Sequence, residues 1–395
     1  MRKILVLNLG STSFKFKLYS FGGDEKETLL STGEIERVGS DSGSCNFDFG
    51  GEKESGRCSC PTHGDAFAYC IQQLTGHRIL VSLEDLDAVG YKAVHGGKID
   101  GPRLVTEELL AAMESYVPFA PAHNPMYIKT MREIGLKYPK LSQVACFETV
   151  FHTTVPEYRT VYGVPHQWRE LYGICRYGFH GASHEYISRR MAELSPDVKR
   201  LISVHLGGSS SLCAVEGGKS VAASMGATPQ SGLFQNNRVG DFDVFCLPEL
   251  IRRLGSLDVV LGALSTRSGF LGLSGVSNDL REVIEAGEGG NANARLALES
   301  FVDNIVGYIG MYTAYLGGLD AIAFTGGIGQ NSGLIRAKIC EKLAFMNIRL
   351  QDDQARRTAD AKISASDSGA EIWMLKTNEE LMVARKTLKL IGAQK

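Results

Sequence analysis

KILVLNLGSTSFKFKLY, residues 3–19, reads as a strand, a turn and a second strand. The apolar run 4–9 ends around Asn8-Leu9-Gly10-Ser11-Thr12-Ser13, and Phe14-Lys15-Phe16-Lys17-Leu18 then alternates apolar and polar with the period of a half-buried strand. Gly and small hydroxyl residues crowd the turn, where backbone N–H groups and Ser/Thr oxygens can face an anion. Taken alone, this is only a hairpin.

The chain repeats it half a length later. RLISVHLGGSSSLCAVEGGKS, residues 200–220, carries an apolar run broken at His205, the turn Gly207-Gly208-Ser209-Ser210-Ser211, and a second apolar run, 212–215. Asn8 and His205 hold the same place in the pattern. Two such units so far apart point to two related lobes rather than a short-period solenoid. Phe324-Thr325-Gly326-Gly327-Ile328-Gly329 makes a third Gly-rich turn after the apolar run 321–324 and before a helical pattern from Ser332. The expectation is nucleotide binding between lobes, with the turns converging on one cleft.

At 395 residues and 44% hydrophobic, the chain is long enough for two domains with cores of their own. A net charge of -2 and the lack of a basic stripe argue against nucleic acid as a partner. No apolar run reaches bilayer length, and the N-terminus enters a strand without a charged leader, so no membrane role and a cytoplasmic location are expected. The cysteine count, 9, is odd, and Cys70, Cys146, Cys213 and Cys340 sit in apolar patterns that suit buried free thiols. Cys58, Cys60 and His63 lack the second pair that a zinc finger requires.

Between the repeats, the Gly/Ser-rich stretch 39–64 suggests an exposed hairpin, 65–74 has helical spacing, and 87–94 returns to a strand ending at His95-Gly96-Gly97. Thr106-Glu107-Glu108 has the form of a helix start, and Ala122-His123-Asn124-Pro125 opens the next helix. A buried strand, 143–147, delivers Glu148, where a catalytic acid or a surface ion pair is expected. His180 and His184 lie four apart in YGFHGASH, but the small residues between them suit a loop entering a helix better than a metal pair. Arg238 stands in a Gly- and Pro-punctuated loop, suited to planar oxyanions, with an ion pair to Asp241 as the ordinary alternative. Residues 274–281 look like a capped helix start, 295–317 like a long helix, and Thr377-Asn378-Glu379-Glu380 like the cap of a final helix.

In this order NLGSTSFKFKLY, AVHGG, APAHNP, ETVFH, YGFHGASH, HLGGSSS, NRVGDFD, SGVSNDLR, FTGGIGQNS and TNEE resemble the acetate kinase family. The resemblance implies an α/β, two-lobed, actin-like (ribonuclease H-like) duplicated core with an ATP cleft between lobes. The lobes would be 1–150 with the C-terminal helix 381–395, and 151–380. It also implies a homodimer and in-line phosphoryl transfer between ATP and a short carboxylate, giving acyl phosphate and ADP.

Carried over by motif, His180 would hold the transferring phosphoryl, Arg238 would grip carboxylate and phosphoryl oxygens, and His123, Lys92 and Glu148 would complete the catalytic group. Asn8 and Glu379 would bind or orient Mg²⁺. Ser11, Ser13 and Lys15, with His205, Gly207 and Gly208, would face the nucleotide phosphates. Asp279, Leu280, Arg281, Gly327, Ile328 and Asn331 would hold the adenosine part.

The chain also departs from the family pattern. Lys92 replaces Arg, Glu148 replaces Asp, Gly208 replaces Asn, Gln330 replaces Glu, and Gln235-Asn236-Asn237-Arg238 stands for Met-Gly-Thr-Arg. These exchanges keep the charges at the chemistry, which favours an active variant. In the acyl pocket, at Val94, Ala122, Phe179 and Pro229, Ala122 stands where acetate enzymes carry Leu, leaving room for propionate or butyrate. The alternatives are a butyrate-type kinase, whose turn also reads H-L-G-G, and an inactive nucleotide-dependent switch on the same scaffold.

Overall fold

The computed structural model describes residues 1–23, 26–351 and 359–393, so the last two residues of the expected C-terminal segment lie outside the described residues. The chain divides into two compact units, Met1–Val150 with Asn378–Lys395, and Phe151–Thr377.

In the first unit β1 (Arg2–Leu9), β2 (Ser13–Phe21), β3 (Glu27–Glu36), β4 (Gly43–Asp48) and β5 (Lys53–Cys58) run antiparallel. With β6 (Ala88–Ala93), β7 (Arg103–Leu104) and β8 (Gln143–Phe147) they form a sheet of order β5-β4-β3-β2-β1-β6-β8-β7, in which β6 lies parallel to β1 and to β8. Leu5, Leu7 and Leu9 pack with Phe67 and Cys70 of α1 (His63–Gly76) and Tyr127 and Met131 of α3 (Asn124–Lys137); α2 (Glu107–Ser115) adds Leu109 and Met113. The alternate residues Ile4 and Val6 turn to the other face, where α14 (Glu379–Gly392) packs on β1 and β6. Burial on both faces explains why β1 reads as a nearly unbroken apolar run.

The second unit repeats this plan. Its strands β9 (Arg200–Leu206), β10 (Ser210–Glu216), β11 (Lys219–Ala223), β12 (Ala321–Thr325), β13 (Ala361–Lys362) and β14 (Glu371–Met374) take the order β11-β10-β9-β12-β14-β13. The series β3-β2-β1-β6-β8 thus has its counterpart in β11-β10-β9-β12-β14, an antiparallel hairpin pair followed by two parallel additions. The duplicated α/β core expected from the repeated hairpins is present.

Ile202, Val204 and Leu206 face Phe301, Ile305 and Ile309 of α11 (Ala292–Leu316). Leu201 faces Ile187 and Met191 of α6 (Gly181–Leu194). The other helices of this unit are α4 (Glu157–Thr160), α5 (His166–Tyr172), α7 (Leu247–Leu254), α8 (Leu257–Thr266), α9 (Gly269–Ser274), α10 (Leu280–Glu288), α12 (Gly326–Asn331) and α13 (Gly333–Lys342).

Some local expectations need correction. The stretch 39–64 holds the expected hairpin, β4 and β5, with most of β5 exposed, but it also extends the sheet and buries Cys45 and Phe47 in the core. Asn378 does not cap α14 with its side chain; its Oδ1 accepts from Lys17 Nζ at 3.3 Å and Tyr19 OH at 3.0 Å. The cysteines are free thiols, and among the described residues no group of three or more His, Cys, Asp or Glu side chains is arranged to hold a metal. His63 instead places Nε2 2.9 Å from the Gly10 carbonyl. No helix among the described residues is long and apolar enough to cross a membrane.

Candidate active site

In each unit a polar cluster stands at the C-terminal ends of the central parallel strands, beside the N-terminus of the helix covering one face, the usual place for chemistry in open α/β sheets. In the first unit that helix is α14. Lys92 ends β6 next to α14, and its Nζ is ion-paired with Glu379 and 3.8 Å from Glu148 Oε1. Glu380 Oε2 lies 3.0 Å from Lys17 Nζ, and Asn8 Nδ2 donates to Glu380 Oε1 at 3.4 Å. Burial disfavours the Lys92 ammonium, yet Glu379, Glu148 and Glu380 outweigh it and hold its pKa above the ordinary lysine range. For Glu380, burial opposes ionisation, but Lys17 and Lys92 prevail and its pKa is lowered.

Hard carboxylate and amide oxygens suit Mg²⁺. Since no ready-made group of three such ligands is present among the described residues, the fit is to an ion that takes one or two protein oxygens and completes its shell with water and phosphate. The β1–β2 turn is closed by Gly10 N donating to Ser13 O at 2.8 Å, leaving Ser11 exposed and Ser13 half-buried. Lys15 is ion-paired with Glu34 at 2.6 Å. His123 is half-buried immediately before α3, and Val94 and Ala122 also belong to this unit.

In the second unit strand alternation builds a histidine–serine cluster. The period of two puts Ser203 and His205 of β9 on the α6 face beside Ser211 of β10, which pairs with His205. His180 is the residue before α6, held in the left-handed region at φ 55, a conformation that costs an L-residue about 1–2 kcal/mol and is often kept at functional sites. Its Nδ1 is 2.8 Å from Ser211 Oγ, and its ring stacks on His205 with centroids 4.4 Å apart. His184 is buried, with Nδ1 2.9 Å from Ser203 Oγ and Nε2 2.8 Å from Ser211 Oγ.

Burial, reinforced by His152 and His205, pushes the His184 pKa well below the ordinary range, so the ring is neutral. The hydroxyl of Ser211 has one hydrogen. When His180 is doubly protonated, Ser211 accepts from it and keeps its one hydrogen for His184 Nε2, an arrangement in which the His184 proton sits on Nδ1 towards Ser203 and every one of these contacts is a hydrogen bond. Ser183 Oγ joins His205 Nδ1 at 2.8 Å to Thr377 Oγ1 at 2.9 Å.

Arg238 lies in the loop after Pro229. Its Nη1 is 3.3 Å from Ser209 Oγ, 3.3 Å from Pro229 O and 3.2 Å from Gln235 Oε1. The ordinary alternative, a pair with Asp241, is not formed: that carboxylate accepts from Gly232 N at 2.8 Å and Tyr308 OH at 2.7 Å. Burial lowers the Arg238 pKa, and these three acceptors are neutral. The loop sits on the start of α9, where Ser268, Phe270 and Leu271 donate backbone N–H groups to the carbonyls of Asn237, Gln235 and Asn236, each at 3.0 Å. Gly269 makes that approach possible. Its φ is +62, and a Cβ there would stand 1.9 Å from Gln235 O.

A cavity of about 660 Å³ in the same unit is lined by Gly207, Gly208, Asn236, Asp279, Leu280, Arg281, Ile284, Gly327, Ile328, Asn331 and Ser332. It gathers the residues assigned to adenosine with two of those assigned to phosphates, in the size range of ligand pockets. Gly326 turns β12 into α12 with φ +77, where a Cβ would come 2.5 Å from Leu206 O. At the other end of α12, buried Arg336 donates Nη1 to Gly329 O at 2.7 Å and Gln330 O at 2.9 Å. Asn236 Nδ2 lies 3.6 Å from where a Cβ on Gly208 would stand, an ordinary van der Waals contact. Phe179 is buried and Pro229 half-buried.

The sequence reading gave no site role to Ser183, Ser203, Gln235, Lys17 or Glu380, named Ser209 and Ser211 only as part of the second turn, and weighed His184 only as a metal ligand. For Ser203 a signal was available: in β9, Ser203 and His205 stand at alternate positions of an otherwise apolar strand and mark a face that buries hydrogen bonds.

The Acetokinase family model matches residues 3–385. An acetate kinase of Geobacillus (strain WCH70) is 40% identical over 396 residues, spanning 99% of both chains. The crystal structure of Porphyromonas gingivalis acetate kinase matches with TM-score 0.89 and 34% identity, covering 99% of this chain and 100% of that one. That of a propionate kinase from Francisella tularensis subsp. tularensis SCHU S4 matches with TM-score 0.89 and 34% identity, covering 98% and 99%.

Proposed function

The chain belongs to the acetokinase family, and from that premise we propose that it is a short-chain carboxylate kinase, transferring phosphoryl reversibly between ATP and acetate or propionate. The carrying observation is Arg238, a half-buried guanidinium held on neutral acceptors and linked through Ser209 to the Gly207–Gly208 turn. Such a cation suits an oxyanion supplied from outside.

A carboxylate oxygen attacks the γ-phosphorus in line, the bond to the β–γ bridging oxygen breaks, and ADP leaves with that electron pair. Arg238 holds carboxylate and phosphoryl oxygens, His180 donates to the transferring phosphoryl, and His205, Gly207 and Gly208 face the nucleotide phosphates. The 660 Å³ cavity takes the adenosine. In the first unit, His123, Lys92 and Glu148 supply catalytic groups, and the Ser11, Ser13 and Lys15 turn faces phosphate. Glu379 would hold Mg²⁺ and Asn8 would orient it, and the ion would supply neutralisation of phosphate charge. A switch protein has no need of the carboxylate-directed arginine.

Hydroxylamine trapping of acyl phosphate with acetate, propionate and butyrate, using ATP and other donors, tests this reading. Hydroxamate from acetate or propionate with ATP is expected, and ATP binding without any hydroxamate refutes it. Ala122 sets the acyl size. Ala122→Leu is expected to lower the propionate-to-acetate ratio of kcat/KM about tenfold, because a methylene in an apolar pocket is worth roughly 1–3 kcal/mol. An unchanged ratio overturns that assignment.

The chain also works as a homodimer. In the second unit α7 is amphipathic yet buries no residue, α8 buries only Val260, and Phe245, Leu254, Leu257, Val259 and Leu261 remain exposed. A continuous apolar surface of this kind is typical of a protein interface. Light scattering after size exclusion is expected to give twice the mass of the chain, and Leu254→Glu with Leu261→Glu to give the single mass. A monomeric parent removes the proposal.

A further inference from the structure

Gln235 is fully buried, and its side-chain amide belongs to a closed ring of hydrogen bonds. Oε1 accepts from Ser209 Oγ at 2.7 Å and from Arg238 Nη1 at 3.2 Å, while Nε2 donates to Pro229 O at 3.0 Å. The backbone N of Gln235 donates to Arg238 O at 3.0 Å, fixing the two residues across one turn of the loop.

Pro229 O and Ser209 Oγ are themselves acceptors of Arg238 Nη1, so the side-chain hydrogen bonds of that arginine among the described residues all fall on one nitrogen. Nη1 has two hydrogens, and these acceptors use them. Nε and Nη2, which make no hydrogen bond among the described residues, form the paired edge that matches a carboxylate or phosphoryl group bidentately.

We infer that Gln235 is a positioning residue for Arg238, holding Nη1 on neutral acceptors so that the Nε–Nη2 edge is presented to the oxyanion. The inference rests on the carboxylate-kinase reading and deepens it. An amide suits this task because it accepts from the guanidinium without cancelling its charge. A carboxylate at 235 would compete with the substrate for Arg238. An apolar residue of similar volume would leave the Ser209 hydroxyl hydrogen without its acceptor and Pro229 O without the Gln235 amide, so both remaining partners of Nη1 lose their own anchor and the fork can rotate.

Gln235→Met and Gln235→Glu test this with the full-length protein. Hydrogen bonds to charged groups are worth roughly 1.5–3 kcal/mol, so Gln235→Met is expected to raise the carboxylate KM about tenfold or more. The KM for ATP should stay close to the parent's. Gln235→Glu keeps an acceptor in place, and is expected to raise the carboxylate KM at least as far by pairing with Arg238. A purely structural role would instead lower the melting temperature and the active fraction with the carboxylate KM unmoved. Should Gln235→Met fail to fold, Gln235→Glu decides.

An unchanged carboxylate KM in either folded variant overturns the inference. A parent that makes no hydroxamate overturns the kinase reading instead. The positioning is then decided by nitrogen NMR of the Arg238 guanidinium: separate Nη signals in the parent that merge in Gln235→Met support it, and identical spectra refute it.

Discussion

Replacing Lys92 by Met lowers the rate of acyl phosphate formation about a hundredfold to a thousandfold, the range seen when one preorganised electrostatic partner is removed. Stability falls by about 3 kcal/mol, because the loss of one member of a buried ion pair leaves its partners uncompensated. Lys92 stands against Glu379, Glu148 and Glu380, and nearby Lys17 serves Glu380 only. The loss depends on pH. The depressed pKa of Glu380 contributes stability that is fully present above the ordinary glutamate pKa and disappears as pH falls through the depressed folded value. Without Lys92 that depression shrinks, so the gap between parent and variant is widest at neutral pH and closes on acidification. Urea unfolding from pH 7 down into the carboxylate range measures it, and a gap constant with pH contradicts the account. Lys92→Arg, which keeps the charge, should retain most of both properties.

Gly269→Ala has the second large effect, through backbone alone. A left-handed conformation costs an alanine about 1–2 kcal/mol. The larger cost is steric: the new methyl group would lie 1.9 Å from Gln235 O and 2.9 Å from Arg238 O, so the loop must lift off α9. Displacing a substrate-positioning group by about 1 Å is worth roughly a hundredfold, and kcat/KM for the carboxylate is expected to drop by that much. Activity within threefold of the parent would mean that the loop has another stable position.

The core was legible because its strongest signals are local. Period-two alternation around Gly/Ser turns, at residues 3–19 and again at 200–220, specifies two hairpins wherever they sit, and equal placement of Asn8 and His205 points to duplication. The site was legible only as a set of residue types in family motifs. Which atoms meet depends on contacts far apart in the chain. Asn378, read as a cap because it precedes a helix, is instead engaged by Lys17 and Tyr19 from β2. His184, read against His180 because they are four apart, is tied to strands β9 and β10. Arg238, read against Asp241 because they are close in sequence, bonds Pro229, Ser209 and Gln235. In each case the partner is one that only the folded topology supplies.

Gly208 and Asn236, two departures from the family pattern, line the same cavity. A Cβ at Gly208 would stand 3.6 Å from Asn236 Nδ2, an ordinary van der Waals contact, so an alanine there leaves the amide in place. A longer side chain at 208 would extend into space that Asn236 also lines, so the two positions share the shaping of that wall and belong in one double-substitution experiment.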